Sequence, residues 1–339
     1  MNEFLRSILD GINSVFGNYG WSIIVFTFLF RLIFMPLDMK SRKSMRRMSA
    51  VQPKVLKLQE KYKNDKEKFN QKQAELYRKE KINPLSGCLP LLLQWPVLIA
   101  MFGAMRLVAN ENTILQMFQV LQGQEPTLEP WLWVRNLWMA DSPFNSYLPD
   151  ATALSMISKD VWLDVLQNKL PDPALIQTLG INIENFLPAS DNATFQSAMT
   201  SLIGLYTNTA VYQETMRTSV SGINLLITQL NVYVDWNGLF LLPLLSCASQ
   251  VLMFKFNPQS TTGAAATGAN GKGGGMNAMM KWFFPIFSLY ICASQNAGFS
   301  LYWVASNIVA TSQNFFYNWY FARQEKKQLE LERQEGSKL

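Results

Sequence analysis

Residues 27–37 read TFLFRLIFMPL, an apolar run with one arginine, Arg31, near its middle. The surrounding side chains are typical of a membrane-spanning helix, in which a central guanidinium costs about 2.5–3.5 kcal/mol on insertion scales. Further apolar runs follow at about 85–108, 238–256, 282–294 and 297–312. Several of them approach the ~20 residues that a spanning helix needs. The sequence therefore predicts an all-α polytopic membrane protein with a five-span core.

The composition argues against most soluble enzymes. Hydrophobic residues make up 49% of the 339-residue chain and charged residues 16%, and the two kinds are segregated along it. There is no histidine, and each of the three cysteines (Cys88, Cys247, Cys292) lies inside an apolar run. Neither a disulfide framework nor a metal site is supported by that pattern. We therefore expect no catalytic residue, no metal and no cofactor.

The charges of two long segments predict the orientation. Residues 39–83 hold 15 Lys/Arg against 5 Asp/Glu, whereas residues 109–235 hold 4 against 12. Because positive charge concentrates on the cytoplasmic side of a membrane, 39–83 is expected inside and 109–235 outside. Five spans then put the N-terminus outside and the C-terminus in the cytoplasm of a bacterial cell membrane.

The predicted organisation alternates spans with loops. In chain order it comprises an external amphipathic segment 1–17, span 1 at 18–38, a cytoplasmic helical hairpin 39–83, span 2 at 84–108, an external loop 109–236 with a small, mostly helical inserted domain, span 3 at 237–256, a flexible Gly-rich cytoplasmic linker 257–276, span 4 at 277–295, span 5 at 298–321 and a cytoplasmic tail 322–339. The apolar part of span 4, 282–294, covers roughly 20 Å at 1.5 Å per residue. Because this is less than the hydrocarbon thickness, we expect local thinning of the bilayer.

The first 17 residues have the pattern of an amphipathic helix lying on the outer surface. Its apolar face would comprise Phe4, Leu5, Ile8, Ile12, Val15 and Phe16. A plain extension of the first span explains the pattern equally well. The basic region that precedes the apolar core of a signal peptide is missing, so no cleavable signal peptide is expected.

The basic segment 39–83 has the pattern of two paired helices. Apolar residues recur there at spacings of 3, 4, 3 and 4, as in a coiled-coil seam (Met48, Val51, Val55, Leu58, Tyr62). Asp65 is a candidate N-cap for a second helix that runs to about Glu80. The remaining faces carry Lys and Arg, which would lie close to anionic lipid headgroups. In the external loop, helical patterns occur at about 151–169 and 193–230.

Polar side chains recur within the predicted spans at helical spacing. The candidate site residues are Arg31, Thr27, Gln94, Ser246, Gln250, Trp303, Asn307 and Thr311. Each cluster alone is commonly a helix–helix contact, but together they indicate a polar cavity lined by several spans. No acidic residue lies within another span to pair with Arg31. Its side chain therefore either extends toward the cytoplasmic interface or, as we favour, lies in a water-filled cavity that is open to the cytoplasm.

Four stretches resemble the YidC-type membrane protein insertases and their mitochondrial and chloroplast relatives. They are GNYGWSIIVFTFLFRLIFMPL, QPKVLKLQEKYKNDKEKFNQKQAELYRKEKINPLSGCLPLLLQWPVLIAMF, AGFSLYWVASNIVATSQN and LWVRNLWMADSPF. The similarity covers most of 15–108, 131–144 and 238–321. Two departures are the short segment before the first core span and about 90 extra residues at 145–236, whose role the family does not indicate.

The resemblance implies a non-enzymatic insertase. Its features would be a hydrophilic groove in the inner half of the bilayer, open to the cytoplasm and to lipid, with Arg31 as the positive centre. The hairpin 39–83 would receive newly made membrane proteins, with the ribosome nearby and either alone or beside the Sec translocon. Direct recognition of nucleic acid is not expected.

Other classes of function explain fewer of these features. A secondary transporter or channel for a small anion could use Arg31 as its binding charge, but the five spans show no evident inverted repeat. A membrane scaffold would leave Arg31 without a purpose. An intramembrane protease is disfavoured because histidine and a pair of aspartates within the spans are both missing.

Overall fold

The computed structural model describes residues 2–80, 89–170, 177–180, 183–186, 190–225, 228–256 and 273–336, which are mostly helical. In chain order the elements are α1 (Asn2–Phe16), α2 (Tyr19–Lys61), α3 (Lys66–Lys79), α4 (Leu89–Leu121), α5 (Ala151–Ser155), α6 (Lys159–Asp164), a π-helical turn (Val165–Lys169), a 3-10 turn (Ile183–Phe186), α7 (Asn192–Thr207), α8 (Ala210–Thr215), β1 (Thr218–Leu225), β2 (Thr228–Tyr233), α9 (Leu241–Phe256), α10 (Gly273–Ser294) and α11 (Ala297–Gly336).

The chain divides into two compact units. The first unit contains residues 1–26, 100–246 and 289–303, and the second contains residues 27–99, 247–288 and 304–339.

Helix α2 joins the predicted span 18–38 to the first arm of the predicted hairpin without a break. Its 43 residues cover about 65 Å at 1.5 Å per residue, more than twice the ~30 Å hydrocarbon core. Pro36 and Pro53 lie inside the helix and do not end it. Within the described ranges, α2 is the one helix whose length and apolar composition suffice to cross a membrane. Two shorter apolar helices, Leu241–Phe256 and Trp282–Ser294, accompany it, so the count of five spans stays a prediction.

Two other helices also run past the predicted span ends. Helix α4 reaches Leu121 instead of ending at residue 108. Helix α11 has 40 residues and continues to Gly336 through most of the predicted tail 322–339. Much of the predicted linker 257–276 lies outside the described residues, and α10 begins at Gly273.

The helical hairpin in the second unit follows its sequence pattern. Asp65 N-caps α3, its carboxylate accepting a hydrogen bond from the Lys68 N–H at 2.9 Å. The predicted seam is confirmed at three of its five residues, since Met48, Val51 and Val55 of α2 pack with Phe69, Leu76 and Tyr77 of α3. Both signals are local, which is why the sequence alone sufficed to predict them.

The insertion that the sequence predicts to be external has its own hydrophobic core, built on the end of α4. Ile114 and Phe118 of α4 are buried there with the large side chains Trp162, Phe195 and Tyr206. The helical pattern predicted over 193–230 is confirmed only for α7 and α8. Strands β1 and β2 follow and pair antiparallel, so the helical prediction is wrong at 218–225 and 228–230.

Residues 2–16 form helix α1 as predicted, but only part of its apolar face is exposed. Leu5 and Leu9 are buried in the first unit, whereas Phe4 and Val15 are exposed. The prediction that Leu5 faces lipid is therefore wrong. The physical reason is that an apolar helix face can be satisfied by protein as well as by lipid.

Candidate functional site

Arg31 lies on α2 in the second unit, and its side chain is half-buried. Its Nη2 donates a hydrogen bond to the Ser306 hydroxyl of α11 at 2.7 Å. The predicted spans offered no acidic partner for Arg31, and this contact is to a neutral hydroxyl.

A second contact joins the same two helices. The Gln313 side-chain amide donates to the Arg31 backbone carbonyl at 3.0 Å. Ser306 and Gln313 are both buried and are seven residues apart, so they share one face of α11. Two turns of α11 thus hold both the guanidinium and the main chain of residue 31.

Asn307 links α11 to α9 by two further hydrogen bonds. Its side-chain N–H donates to Ser249 Oγ at 3.1 Å and to Gln250 Oε1 at 3.0 Å. Asn307, Ser249 and Gln250 are all buried. Thr311 donates to the Asn307 carbonyl at 2.8 Å, an interaction within α11. The predicted site residues Gln250 and Asn307 are therefore in direct contact.

The remaining predicted site residues are distributed over the chain. Thr27 is buried on α2, one turn before Arg31 in the second unit. The side chain of Gln94 lies outside the described part of the chain. Ser246 and Trp303 belong to the first unit. Ser246 donates to the Pro243 carbonyl at 2.7 Å, a contact within its own helix.

Two more arginines of α2 lie against α11. Arg42 donates to Asn314 Oδ1 and lies over the Tyr317 ring, with 4.8 Å from Cζ to the ring centroid. Arg46 lies over the Phe321 ring at the same distance. Cation–π contacts of this kind contribute about 0.5–2 kcal/mol each.

Sequence reasoning missed this continuation of the site. Arg31, Arg42 and Arg46 are 11 and 4 residues apart, which places them on one face of a continuous helix because 11 residues make just over three full turns. The signal was present in the spacing. It went unused because a boundary between span and hairpin was expected at residue 38.

The outer faces of the same helices are apolar and exposed. Examples with an exposed fraction of 47–72% are Leu29 and Ile33 of α2, Leu252 of α9, Ile286 of α10 and Ile308 of α11. Exposed apolar residues on this scale mark a membrane or protein contact surface. The second unit therefore combines exposed apolar side chains with buried hydroxyl and amide groups and half-buried guanidinium groups.

These buried groups offer hydrogen-bond donors, acceptors and positive charge. Among the described residues, no group of three or more His, Cys, Asp and Glu side chains could hold a metal ion. Groups of this kind can hydrogen-bond to polar groups and attract acidic ones.

Comparison with known proteins identifies the family. The family model described as "60Kd inner membrane protein" matches residues 11–190 and 192–325. The membrane protein insertase YidC of Thioalkalivibrio sulfidiphilus is 40% identical over 168 residues, which are 48% of this chain and 27% of that protein. The insertase YidC of Polynucleobacter necessarius is 40% identical over 171 residues, 49% of this chain and 26% of that protein.

A third relative gives a longer alignment. The membrane protein insertase YidC of Francisella tularensis subsp. novicida is 35% identical over 203 residues, 60% of this chain and 32% of that protein. The chain thus aligns with only about a quarter to a third of the length of these relatives. The family model nevertheless covers most of the chain, and the chain belongs to the 60Kd inner membrane protein family of YidC-type insertases.

Proposed function

We propose that this chain is a membrane protein insertase that inserts, folds and helps to assemble newly made membrane proteins. The observation that carries the proposal is the contact between Arg31 and Ser306 within helices whose outer faces are apolar. A guanidinium among apolar membrane helices costs several kcal/mol, less where water reaches it. A hydrophilic groove would admit water and the polar segment of a substrate to this arginine.

The proposed groove contains the predicted residues of the second unit. Thr27, Arg31, Gln250, Asn307 and Thr311 would hydrate a polar segment as it passes the apolar part of the bilayer. Ser306, Gln313 and Ser249 join them because they hydrogen-bond directly to Arg31 or Asn307. Gln94, Ser246 and Trp303 remain candidates from the sequence alone.

The groove would open toward the cytoplasm and toward lipid. Arg42 and Arg46 extend the positive charge of Arg31 along α2 toward the hairpin, so acidic segments would be attracted from that side. The hairpin would capture the nascent chain near the ribosome, with its basic faces on anionic lipid headgroups. The proposed insertase would act alone or with the Sec translocon, without enzymatic catalysis.

The decisive experiment is reconstitution of the purified chain into liposomes. The substrate is a single-span protein with a short acidic N-terminal tail, added during its synthesis. Protection of that tail from external protease is expected in proteoliposomes and not in empty liposomes. Equal protection in both would contradict the proposal.

A second measurement on the same vesicles separates insertion from transport. Release of trapped chloride should be the same in proteoliposomes and empty liposomes. Chloride release without tail protection would favour the anion transporter instead.

The proposed topology has its own test. Glu60→Cys and Gln167→Cys, both at exposed positions, are compared in a background without other cysteines. Glu60→Cys should react with an impermeant reagent only from the cytoplasmic side and Gln167→Cys only from outside. Reaction of Gln167→Cys from the cytoplasm would contradict the N-out arrangement.

A further inference from the structure

The turn Trp131–Val134 in the first unit carries an apolar residue in an unusual conformation. Trp131 and Val134 exchange two backbone hydrogen bonds of 2.9 Å across the pair Leu132–Trp133. Leu132 has a φ of 48°, whereas Trp133 is not at positive φ. In two-residue turns of this pattern, glycine is favoured at the first central position. A bulky residue there is strained.

The strained leucine is also exposed. Its side chain is 65% exposed, although the residues on both ends of the turn are buried. A soluble surface gains nothing from an apolar side chain at a position that prefers glycine or asparagine. Strain and exposure together therefore indicate a contact for Leu132 outside the chain.

Neighbouring aromatic residues indicate where that contact lies. The Trp131 ring packs edge-on against Trp21, with 5.8 Å between centroids, and Trp21 is 48% exposed. Trp21 is the third residue of α2, the helix long and apolar enough to cross a membrane. Tryptophan prefers the boundary between headgroups and acyl chains. The contact between Trp21 and Trp131 thus places the turn beside the end of α2, where that helix would leave the membrane.

The turn is held rigidly at that level. A Cβ added to Gly20 would lie 2.1 Å from the Trp131 ring, so the turn packs directly on the α2 backbone. Trp133 Nε1 donates to the buried Asp141 carboxylate at 3.1 Å. The same carboxylate accepts from the Leu242 N–H at 2.6 Å, at the start of α9.

A second exposed leucine directly precedes a residue that hydrogen-bonds to this carboxylate. Leu239 is 50% exposed, and the next residue, Phe240, has a φ of 64° and donates its N–H to Asp141 at 3.2 Å. Leu132 and Phe240 are the two residues other than glycine that have a positive φ in the described ranges. We call Trp21, Leu132 and Leu239 the outer collar.

We propose that the Trp131–Val134 turn anchors the protein to the lipid surface by inserting Leu132, with Leu239 and Trp21, at the boundary of headgroups and acyl chains. Lipid is the occupant that the collar fits, because it begins at the end of α2 and its three members are uncharged. The proposal does not depend on insertion activity. A failed insertion assay and a failed anchoring assay are therefore distinguishable.

The first test measures lipid contact. Leu132→Cys, Leu239→Cys and the control Met156→Cys are labelled with an environment-sensitive fluorophore in a background whose three cysteines are replaced by alanine. Met156 is 69% exposed, in the external insertion. In phosphatidylcholine vesicles, a nitroxide on the lipid should quench the labels at 132 and 239, and soluble iodide should quench only the label at 156. Iodide quenching at 132, or protection of 132 from both quenchers, would overturn the proposal.

The second test uses Leu132→Asn, because asparagine tolerates a positive φ. Loss of strain should leave the thermal midpoint in detergent unchanged or raised. Loss of the lipid contact should lower the midpoint in vesicles relative to that in detergent. An equal shift of the midpoint in both media would contradict the anchor.

Discussion

The Arg31 guanidinium donates a 2.7 Å hydrogen bond to the Ser306 hydroxyl, which is on a helix 275 residues further along the chain. This contact gives the charged side chain a defined orientation within an apolar helix. The hydroxyl is neutral, so this contact orients the guanidinium without itself cancelling the positive charge. Arg31 is therefore held in position on α2.

The first prediction concerns the strength of this contact. Ser306→Ala should lower the free energy of unfolding by about 1.5–3 kcal/mol, the range for hydrogen bonds to charged groups. Because both partners form one interaction, Ser306→Ala and Arg31→Ala should be non-additive in a double-mutant cycle. Thermal or denaturant unfolding in one lipid–detergent mixture measures both quantities.

A serine on the same helix provides the control. Ser312 is exposed and donates only to the Ile308 carbonyl, one turn back. Ser312→Ala should leave the free energy of unfolding within about 0.5 kcal/mol of wild type. Strict additivity of the Arg31 and Ser306 substitutions would show that their contact contributes nothing.

The second prediction concerns the hairpin seam. Val55 is 5% exposed against α3, whereas its neighbour Leu56 is 52% exposed. Val55→Asp places a charge in the seam and should destabilise the hairpin on the order of 3 kcal/mol. Leu56→Asp carries the same charge on the open face and should change little. Amide exchange across α3 measures the difference, and equal protection in both variants would contradict the seam.

The third prediction concerns the entry to α9. A Cβ on Gly238 would lie 2.0 Å from Asp141 Oδ1 and 3.1 Å from its Cα. Gly238→Ala should therefore displace the carboxylate from the Leu242 N–H and cost about 1–3 kcal/mol. Gly204, in α7, has open space around it, so Gly204→Ala should stabilise the helix by up to about 1 kcal/mol. Unchanged thermal midpoints in Gly238→Ala would show that the Asp141 contact is dispensable.

The fourth prediction concerns pH. Asp191 N-caps α7, and the Thr194 N–H, at 2.9 Å, is the main cause that lowers the pKa of its carboxyl. A carboxyl with a lowered pKa stabilises the fold above its unfolded pKa, about 3.9, and loses that contribution as pH falls through the folded pKa. Amide exchange at the start of α7 should therefore accelerate in acid.

Asparagine is the matched variant for this position, because it caps a helix and does not titrate in this range. Asp191→Asn should remove the acid-dependent part of the exchange while keeping the cap. If the two proteins show the same acid response, another group controls that end of the helix.

Local patterns were predictable from the sequence and non-local pairings were not. Asp65 and the residues Met48, Val51 and Val55 were identified correctly because a cap and a seam depend on neighbours a few residues away. Strand β1 was not, because a two-stranded pairing depends on a partner segment that single-helix periodicity does not consider.

The candidate site shows the same division. The 4-residue spacing of Asn307 and Thr311 identified the polar side of α11. The spacing of residues along one helix does not show which of them contact α2. The sequence therefore did not identify Ser306, the residue before Asn307, as a partner of Arg31. Tertiary packing decides such choices.

The most direct test of the account compares two matched single-span substrates, one with an acidic tail and one with a neutral tail, in liposomes containing wild type, Arg31→Lys or Arg31→Ala. Two unit charges 4 Å apart gain about 4 kcal/mol at an effective dielectric near 20, enough to attract a tail without trapping it. Arg31→Ala should lose most insertion of the acidic tail and less of the neutral tail, and Arg31→Lys should retain part of both because the charge remains. Wild-type insertion of both tails by Arg31→Ala would contradict a role for the arginine in the groove.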